Sequence, residues 1–319
     1  MLALAEIAPS DWIGFVGVIL IFLALDLGVF HRRARVVKFR EALAWTAVWA
    51  CLAMLFGLLI GPKFVEGWNR SDTVEFVTGY VVELSLSMDN VFVMALIFAY
   101  FRVPLHLQHR VLFWGILGAL LMRGLMIWLG TELIHRFHWM LYVLGAFLVL
   151  TGIRMLFAGD EGVHPEKNPV IRAARKLFPV SREFEGQRFS TKVHGHFALT
   201  PLAIVLLMVE TTDLVFAVDS IPAIFAVTQD AFIVFTSNVF AILGLRSLYF
   251  VLAGAIEFFR FLKFGLSIVL IFVGAKMLLV WFDIKIPTML SLVVVASVIL
   301  LSILASVLTA RRQQAEPGG

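Results

Sequence analysis

Long apolar segments recur along this sequence and restrict its fold class more than any other feature. A helix of about 20 apolar residues crosses the roughly 30 Å hydrocarbon core of a bilayer. The apolar segments cover residues 11–30, 44–61, 74–101, 111–130, 139–157, 198–227, 231–254, 264–282 and 288–308. Hydrophobic residues make up 61% of the chain and charged residues only 15%. The sequence therefore predicts an all-α polytopic membrane protein with about nine transmembrane helices.

The basic residues between these segments predict the orientation of the chain. Cytoplasmic loops of membrane proteins carry an excess of Lys and Arg. Loops 31–43, 101–110, 158–197 and 255–263, together with the C-terminal tail, hold eighteen Lys and Arg, and the loops on the opposite side hold four. We therefore expect the N-terminus outside and the C-terminus in the cytoplasm. The positive charge then reports topology, and we expect no binding of nucleic acid.

Two acidic motifs lie inside the apolar segments. E-L-S-L-S-M-D-N occupies residues 83–90, and D-L-V-F-A-V-D-S occupies residues 213–220. An ionised carboxylate is costly in a bilayer, so an intramembrane acid is by default a candidate for a functional site. Carboxylate and amide oxygens suit Mg²⁺, Ca²⁺ and Mn²⁺. The candidate metal ligands are Glu83, Asp89, Asn90, Glu210, Asp213 and Asp219.

The spacing of these acids leaves two arrangements open. In an unbroken helix, two residues six positions apart point about 120° away from each other, at about 100° per residue. Either the helices break, which Pro222 would favour because it removes a helix hydrogen bond, or the two acids of each motif have different roles. Segments 74–101 and 198–227 are also long enough that they must tilt strongly or break.

Basic residues inside the apolar segments offer the deep acids another role. Asp89 and Asp219 are either metal ligands or ion-pair partners of Arg123 or Arg246. Lys276 is either a counter-ion for the acids or a side chain that reaches the membrane surface. The possible counter-ions are therefore Arg123, Arg246 and Lys276.

The remaining three acids also have two interpretations. Glu83, Glu210 and Asp213 are either further metal ligands or carboxylates that carry protons in exchange for the ion. No pair of histidines lies deep in the apolar segments, which disfavours an imidazole site for zinc or copper.

Three matched motifs in the same order indicate an internal repeat. The two acidic motifs match each other. G-I-L-G at 115–118 resembles A-I-L-G at 241–244, and G-I-R-M-L at 152–156 resembles G-A-K-M-L at 274–278. Each copy contains three spans, an odd number, so the second copy must enter the membrane from the opposite side. The sequence thus predicts two inverted three-helix repeats, an architecture of secondary transporters with sites near the midplane.

The repeat divides the chain into five parts. The parts are an N-terminal two-helix segment (1–73), the first three-helix repeat (74–157), a cytoplasmic loop (158–197), the second three-helix repeat (198–282), and the last helix with a cytoplasmic tail (283–319). The loop contains a basic stretch, 168–178, with apolar residues at roughly helical spacing. That pattern is compatible with a helix on the inner membrane surface, although a plain linker between the halves is the simpler interpretation.

Over nearly its whole length the chain resembles the TerC family of bacterial integral membrane proteins, in its Alx-like branch. The resemblance rests on A-L-D-L-G-V-F-H-R at 24–32, on the first acidic motif with the V-F that follows it, and on E-T-T-D-L-V-F-A-V-D-S-I-P-A-I-F at 210–225. It implies manganese(II) export across the bacterial inner membrane, kinship with LysE-type exporters and a historical link to tellurite resistance. The acidic residues of the family motifs map onto Glu83, Asp89, Glu210, Asp213 and Asp219, with Asn90 alongside.

These observations favour an exporter of a divalent cation. Mn²⁺ is then the transported substrate, no cofactor is expected, and protons are a candidate coupling ion. An intramembrane metal-dependent enzyme is an alternative, but no strong nucleophile or base motif accompanies the acids, so we expect no enzyme. A membrane scaffold of a metal or tellurite stress-resistance complex is a third interpretation. The sequence predicts the lipid bilayer as the one large partner of this chain. It does not predict an oligomeric state.

Overall fold

The computed structural model describes residues 9–25, 39–157, 166, 168–181, 183–193, 195–253 and 261–315. Within these ranges the helices are α1 (Pro9–Leu25), α2 (Phe39–Leu55), α3 (Gly61–Phe64), α4 (Arg70–Tyr100), α5 (Leu105–Arg136), α6 (Met140–Phe157), α7 (Pro169–Leu177), α8 (Pro201–Phe225), α9 (Ala231–Ala253), α10 (Leu262–Leu279) and α11 (Thr288–Ala315). A π-helical turn, Phe56–Ile60, joins α2 to α3. Strands β1 (Ser190–Val193) and β2 (His196–Leu199) form an antiparallel hairpin between α7 and α8.

Eight helical segments in the described ranges are long and apolar enough to cross a membrane. They correspond to eight of the nine predicted segments, from Phe39–Phe64 to Thr288–Thr309. The first predicted segment contains α1, a shorter helix of 17 residues, and its end falls outside the described residues together with most of the 24–32 motif. The class of all-α polytopic membrane protein is therefore confirmed, and the count of nine spans stays a prediction.

The helices of the two predicted repeats pack against each other in matching pairs. α6 packs on α10, α4 on α9, and α5 on α8. Exchanging α4, α5 and α6 for α8, α9 and α10 converts the α4–α9 pair into the α5–α8 pair and leaves α6–α10 unchanged. A two-fold axis between inverted repeats would produce this pattern. The repeat and its boundaries stay predictions, and α2 and α11 pack outside this set, on α9 and on α4 and α10.

Glycines let α6 and α10 approach closely. A Cβ on Gly274 would lie 2.6 Å from the carbonyl oxygen of Gly145, and a Cβ on Gly152 would lie 2.9 Å from that of Ser267. Membrane helices gain association energy from such close backbone packing, because lipid chains compete with ordinary apolar contacts. The contact between α6 and α10 therefore requires small residues, and the same two helices carry the basic side chains of the cavity described below.

Gly274→Ala is expected to lower the melting temperature of the detergent-solubilised protein. The new methyl group has backbone atoms in its way, and overpacking of this kind costs roughly 1–3 kcal/mol. The matched control is Gly17→Ala on α1, where an added Cβ meets nothing within 4 Å. That control should be neutral or slightly stabilising, since alanine is the better helix former. Equal melting temperatures for the two variants would contradict the close-packing argument.

The helices that carry the acidic motifs are continuous. α4 extends over 31 residues and α8 over 25 residues, with Pro222 in the last turn of α8. Of the two arrangements that the spacing of the acids left open, the one with broken helices is therefore wrong. Because both helices are unbroken, the two acids of each motif point in different directions and have different surroundings.

Candidate functional site

Arg123 on α5 lies at the centre of a buried ion-pair network. Its Nη1 donates to Oε1 of Glu83 on α4, and its Nη2 lies 3.3 Å from Oδ1 of Asp213 on α8. Glu83 Oε1 also accepts a hydrogen bond of 3.2 Å from the hydroxyl of Ser87. None of the three charged side chains is more than 2% exposed. One arginine thus joins the first acid of each motif.

Two asparagines extend this network. Asn238 on α9 accepts a hydrogen bond from Arg123 Nη1 at 3.0 Å. Asn90 Nδ2 lies 3.5 Å from Asp213 Oδ1. The second carboxylate oxygens, Glu83 Oε2 and Asp213 Oδ2, are buried without a hydrogen-bond partner. With both acids ionised, the network would carry two negative charges for one positive charge.

The second acid of each motif lies in a different place. Asp89 and Asp219 both line a cavity of about 270 Å³ between α4, α6, α8 and α10. The polar residues that line this cavity are Asp89, Asn90, Thr151, Arg154, Asp219, Ser220 and Lys263. The motifs therefore supply two matched acid pairs, one held by arginine and the other facing a space.

Polar and basic side chains accompany the acids around this cavity. Thr151 lies next to Asp219, and Lys263 lies within electrostatic range of Asp89. Arg154 adds a second positive charge to the lining. Ser220 is buried and its Oγ has no hydrogen-bond partner. A buried hydroxyl without a partner requires an explanation, and a ligand in the adjoining cavity would provide one.

Glu210 belongs to neither acid pair. It lies where α8 meets α5, and its carboxylate occupies the space that a Cβ on Gly118 would need. Asp213 is its electrostatic neighbour, three residues further along α8. Gly118, the last residue of G-I-L-G, therefore makes room for an acid from α8.

The three predicted counter-ions have different surroundings. Arg123 binds the first acid of each motif, and not the second as the ion-pair interpretation proposed. Arg246 is half-buried on α9 and is not among the residues that line the cavity. Lys276 is buried on α10, and Glu75 near the start of α4 is the acid that interacts with it.

The six predicted metal ligands thus lie in three neighbouring places. In the described part of the chain, no three His, Cys, Asp or Glu side chains form a group that could hold a metal ion. The cavity nevertheless combines the carboxylates of Asp89 and Asp219 with the side-chain oxygens of Asn90 and Ser220. Hard divalent cations bind such oxygen donors, with water completing the coordination. The ligand roles stay predictions.

Several polar residues of the cavity were not predicted as site residues. Thr151 and Arg154 are three residues apart on α6, so helical spacing places them on one face. A threonine one turn before an arginine in an apolar segment was a signal that could have been used. The sequence places Lys263 in a loop between two spans. Its approach to Asp89 depends on how α10 packs, which the sequence does not specify.

The fold and these acid pairs define a class of helical membrane protein with paired carboxylates inside the bundle. Residues 68–314 match the integral membrane protein TerC family. The chain belongs to this family, as its motifs predicted.

Two bacterial relatives cover almost the whole chain. An uncharacterized membrane protein of Myxococcus xanthus is 50% identical over 304 residues, 95% of this chain and 94% of that protein. The "putative membrane-bound redox modulator Alx" of Escherichia coli K12 is 43% identical over 316 residues, 98% of each chain. No solved structure matches this chain.

Proposed function

We propose that this protein is a carrier that exports a divalent cation from the cytoplasm, and that Mn²⁺ is its substrate. The observation that carries the proposal is the cavity shared by Asp89 and Asp219. Each acid comes from one of two helices with matching motifs, and a buried hydroxyl without a partner lies beside them. Transporters with inverted repeats place their ion sites at such a junction between repeats.

The composition of the cavity suits a hard cation. Carboxylate, amide and hydroxyl oxygens accept Mg²⁺, Ca²⁺ and Mn²⁺, whereas softer ions favour sulfur and imidazole. Because Mn²⁺ binds weakly among the first-row divalent ions, its selection would depend on geometry and availability. Mn²⁺ rather than another hard cation is the part of the proposal that rests on the family resemblance.

The positive charges around the cavity suggest how binding and release alternate. Lys263 lies within electrostatic range of Asp89, and Arg154 lines the same cavity, so both place positive charge near the carboxylates when no ion is bound. A dication that enters between Asp89 and Asp219 replaces these charges, so the basic side chains must move towards solvent. Arg154 is exposed and can do so readily. The carboxylates would thus exchange internal positive charges for the substrate, which keeps the low-dielectric interior close to neutrality.

Export requires a source of energy. Moving a dication out of a cell that is negative inside costs roughly 4.6 kcal/mol at 100 mV, from about 2.3 kcal/mol per charge. Proton entry in exchange would supply it. Glu83 and Asp213 are held by Arg123, which makes them poor proton carriers. Glu210 lies outside the Arg123 network, so we assign the proton to Glu210.

Purified protein in liposomes is expected to move Mn²⁺ in the presence of excess Mg²⁺, and an imposed pH gradient should change the rate. Glu210→Gln should remove most of the pH response while leaving Mn²⁺ binding largely intact. Glu132→Gln, at an exposed acid near the end of α5, is the matched control. Mn²⁺ flux that ignores the pH gradient, with Glu210→Gln behaving as wild type, would exclude proton coupling. The absence of Mn²⁺ flux altogether would exclude the export proposal.

The name of the Escherichia coli relative suggests a different function, the modulation of redox state. This chain contains one cysteine, Cys51, which lies exposed on α2. An intramolecular disulfide therefore cannot form within it.

A scaffold for a stress-resistance complex would tolerate carboxamides at Asp89 and Asp219. A metal-dependent enzyme would show turnover of a substrate without net ion movement. Net movement of Mn²⁺ in the transport assay distinguishes an exporter from a redox modulator, a scaffold and a metal-dependent enzyme.

A further inference from the structure

The helix α7 has a surface that the proposed transport does not use. Its apolar side chains recur at helical spacing and lie on one face, whereas its basic side chains lie on the other. The apolar face consists of Val170, Ile171, Ala174, Leu177 and the adjoining Phe178, and the basic face of Arg172, Arg175 and Lys176. Such a helix has the character of one that lies in a membrane interface.

Only part of this apolar face is covered by the protein. Ile171 is 1% exposed and belongs to the bundle core. Leu177 is 73% exposed, and Phe178 is 41% exposed. Phe178 packs edge-on against Phe197 of β2, with ring centroids 5.5 Å apart, and Phe197 is itself 53% exposed. One edge of the helix is thus anchored, and Leu177, Phe178 and Phe197 form an exposed apolar patch beside it.

The anchoring contacts place α7 beside the bundle and not beyond its end. Asn168, which caps α7, donates a hydrogen bond of 2.8 Å to the hydroxyl of Thr211. Thr211 lies about 15 Å into α8 from Pro201, at about 1.5 Å per residue. A helix attached at that height and exposed on its outer edge runs along the flank of a membrane-spanning bundle.

The hairpin next to α7 also has side-chain contacts that are typical of the membrane–water interface. Phe189, just before β1, packs against Trp114 of α5 with ring centroids 6.4 Å apart. Arg110 lies over the same phenylalanine ring, 5.4 Å from its centroid. Tryptophan and basic residues concentrate where the hydrocarbon core meets the headgroups. In the unit formed by α7 and the hairpin, β2 ends at Leu199, two residues before α8 begins. The hairpin, and the end of α7 that packs on it through Phe178, therefore lie at the expected height of the headgroup layer, whereas the Asn168 cap reaches deeper along α8.

We propose that this unit binds the anionic phospholipid headgroups of the membrane in which the bundle sits. Leu177, Phe178 and Phe197 enter the boundary of the acyl chains, and Arg175 and Lys176 bind headgroup phosphates. The charge supports this occupant, because basic residues next to an apolar face are attracted to an anionic leaflet. Both basic side chains are exposed and can reach such a surface.

Spin labels at two positions of α7 test the proposal on the full chain in liposomes. Cys51→Ser removes the one native cysteine, and Leu177→Cys or Arg172→Cys then places a nitroxide on the apolar or the basic face. In liposomes that contain phosphatidylglycerol, we expect the label at 177 to collide mainly with oxygen and the label at 172 mainly with a water-soluble nickel chelate. Equal accessibility of both labels to the nickel chelate would overturn membrane binding.

A charge variant then tests the recognition of headgroups. Arg175→Gln with Lys176→Gln, in the Leu177→Cys protein, should lower the ratio of bound to released α7 about 25-fold, since each basic residue near an anionic surface contributes roughly fivefold. The Leu177→Cys protein with Arg175 and Lys176 intact should show the same lower ratio of bound to released α7 in liposomes of phosphatidylcholine alone. A label at 177 that stays equally buried in both lipids and in the charge variant would show an apolar contact alone and overturn the anionic headgroup site.

Discussion

Asp89→Asn and Asp219→Asn are each expected to abolish cation export while the protein still accumulates in the membrane. Asparagine keeps the shape of aspartate and removes its charge. Two unit charges about 4 Å apart interact by about 4 kcal/mol at an effective dielectric constant near 20, and a dication doubles this. Loss of either acid also leaves Arg154 and Lys263 in excess, and both repel the substrate. We therefore expect the flux of Mn²⁺ into external buffer to fall at least about 100-fold.

The control for this prediction is the same chemical change outside the cavity. Asp283 lies after α10 in a left-handed conformation with φ of 58°, which asparagine also adopts readily. Asp283→Asn should transport normally. Normal export by both cavity variants would refute the assignment of the site. Failure of both variants to accumulate would instead show that these acids stabilise the fold as partners of Arg154 or Lys263.

The helices could be predicted from the sequence because length and apolar content are properties of one segment at a time. All of segment 74–101 except its last residue lies within α4, and segment 198–227 contains α8. The angle between acids on one helix also follows from spacing alone, which is why Asp89 had to point away from Glu83 unless the helix broke. These statements need no knowledge of neighbouring helices.

The grouping of side chains from different helices could not be predicted in this way. Arg123 was available to every acid in the bundle, and the rotation of α5 about its axis decided that it faces Glu83 and Asp213. Glu210 reaches α5 because residue 118 is a glycine, a contact that depends on the packing of two helices far apart in sequence. Helix rotation and close packing are set by the whole bundle. A sequence motif therefore identifies candidate site residues but does not predict which of them lie together.

Arg123→Gln is expected to be the most destabilising single substitution at this site. It leaves Glu83 and Asp213 buried without a positive charge, and breaking a buried ion pair by removing one partner costs about 3–5 kcal/mol. The variant should accumulate poorly and melt at a lower temperature in detergent. Glu83→Gln should have a much smaller effect, because it leaves Arg123 and Asp213 as a balanced pair. The double variant Arg123→Gln/Glu83→Gln should recover part of the loss, since one of the two uncompensated carboxylates is then gone. The melting temperatures of wild type, the two single variants and the double variant form a double-mutant cycle. If Glu83→Gln proved less stable than Arg123→Gln, the network would not contain two ionised carboxylates for one arginine.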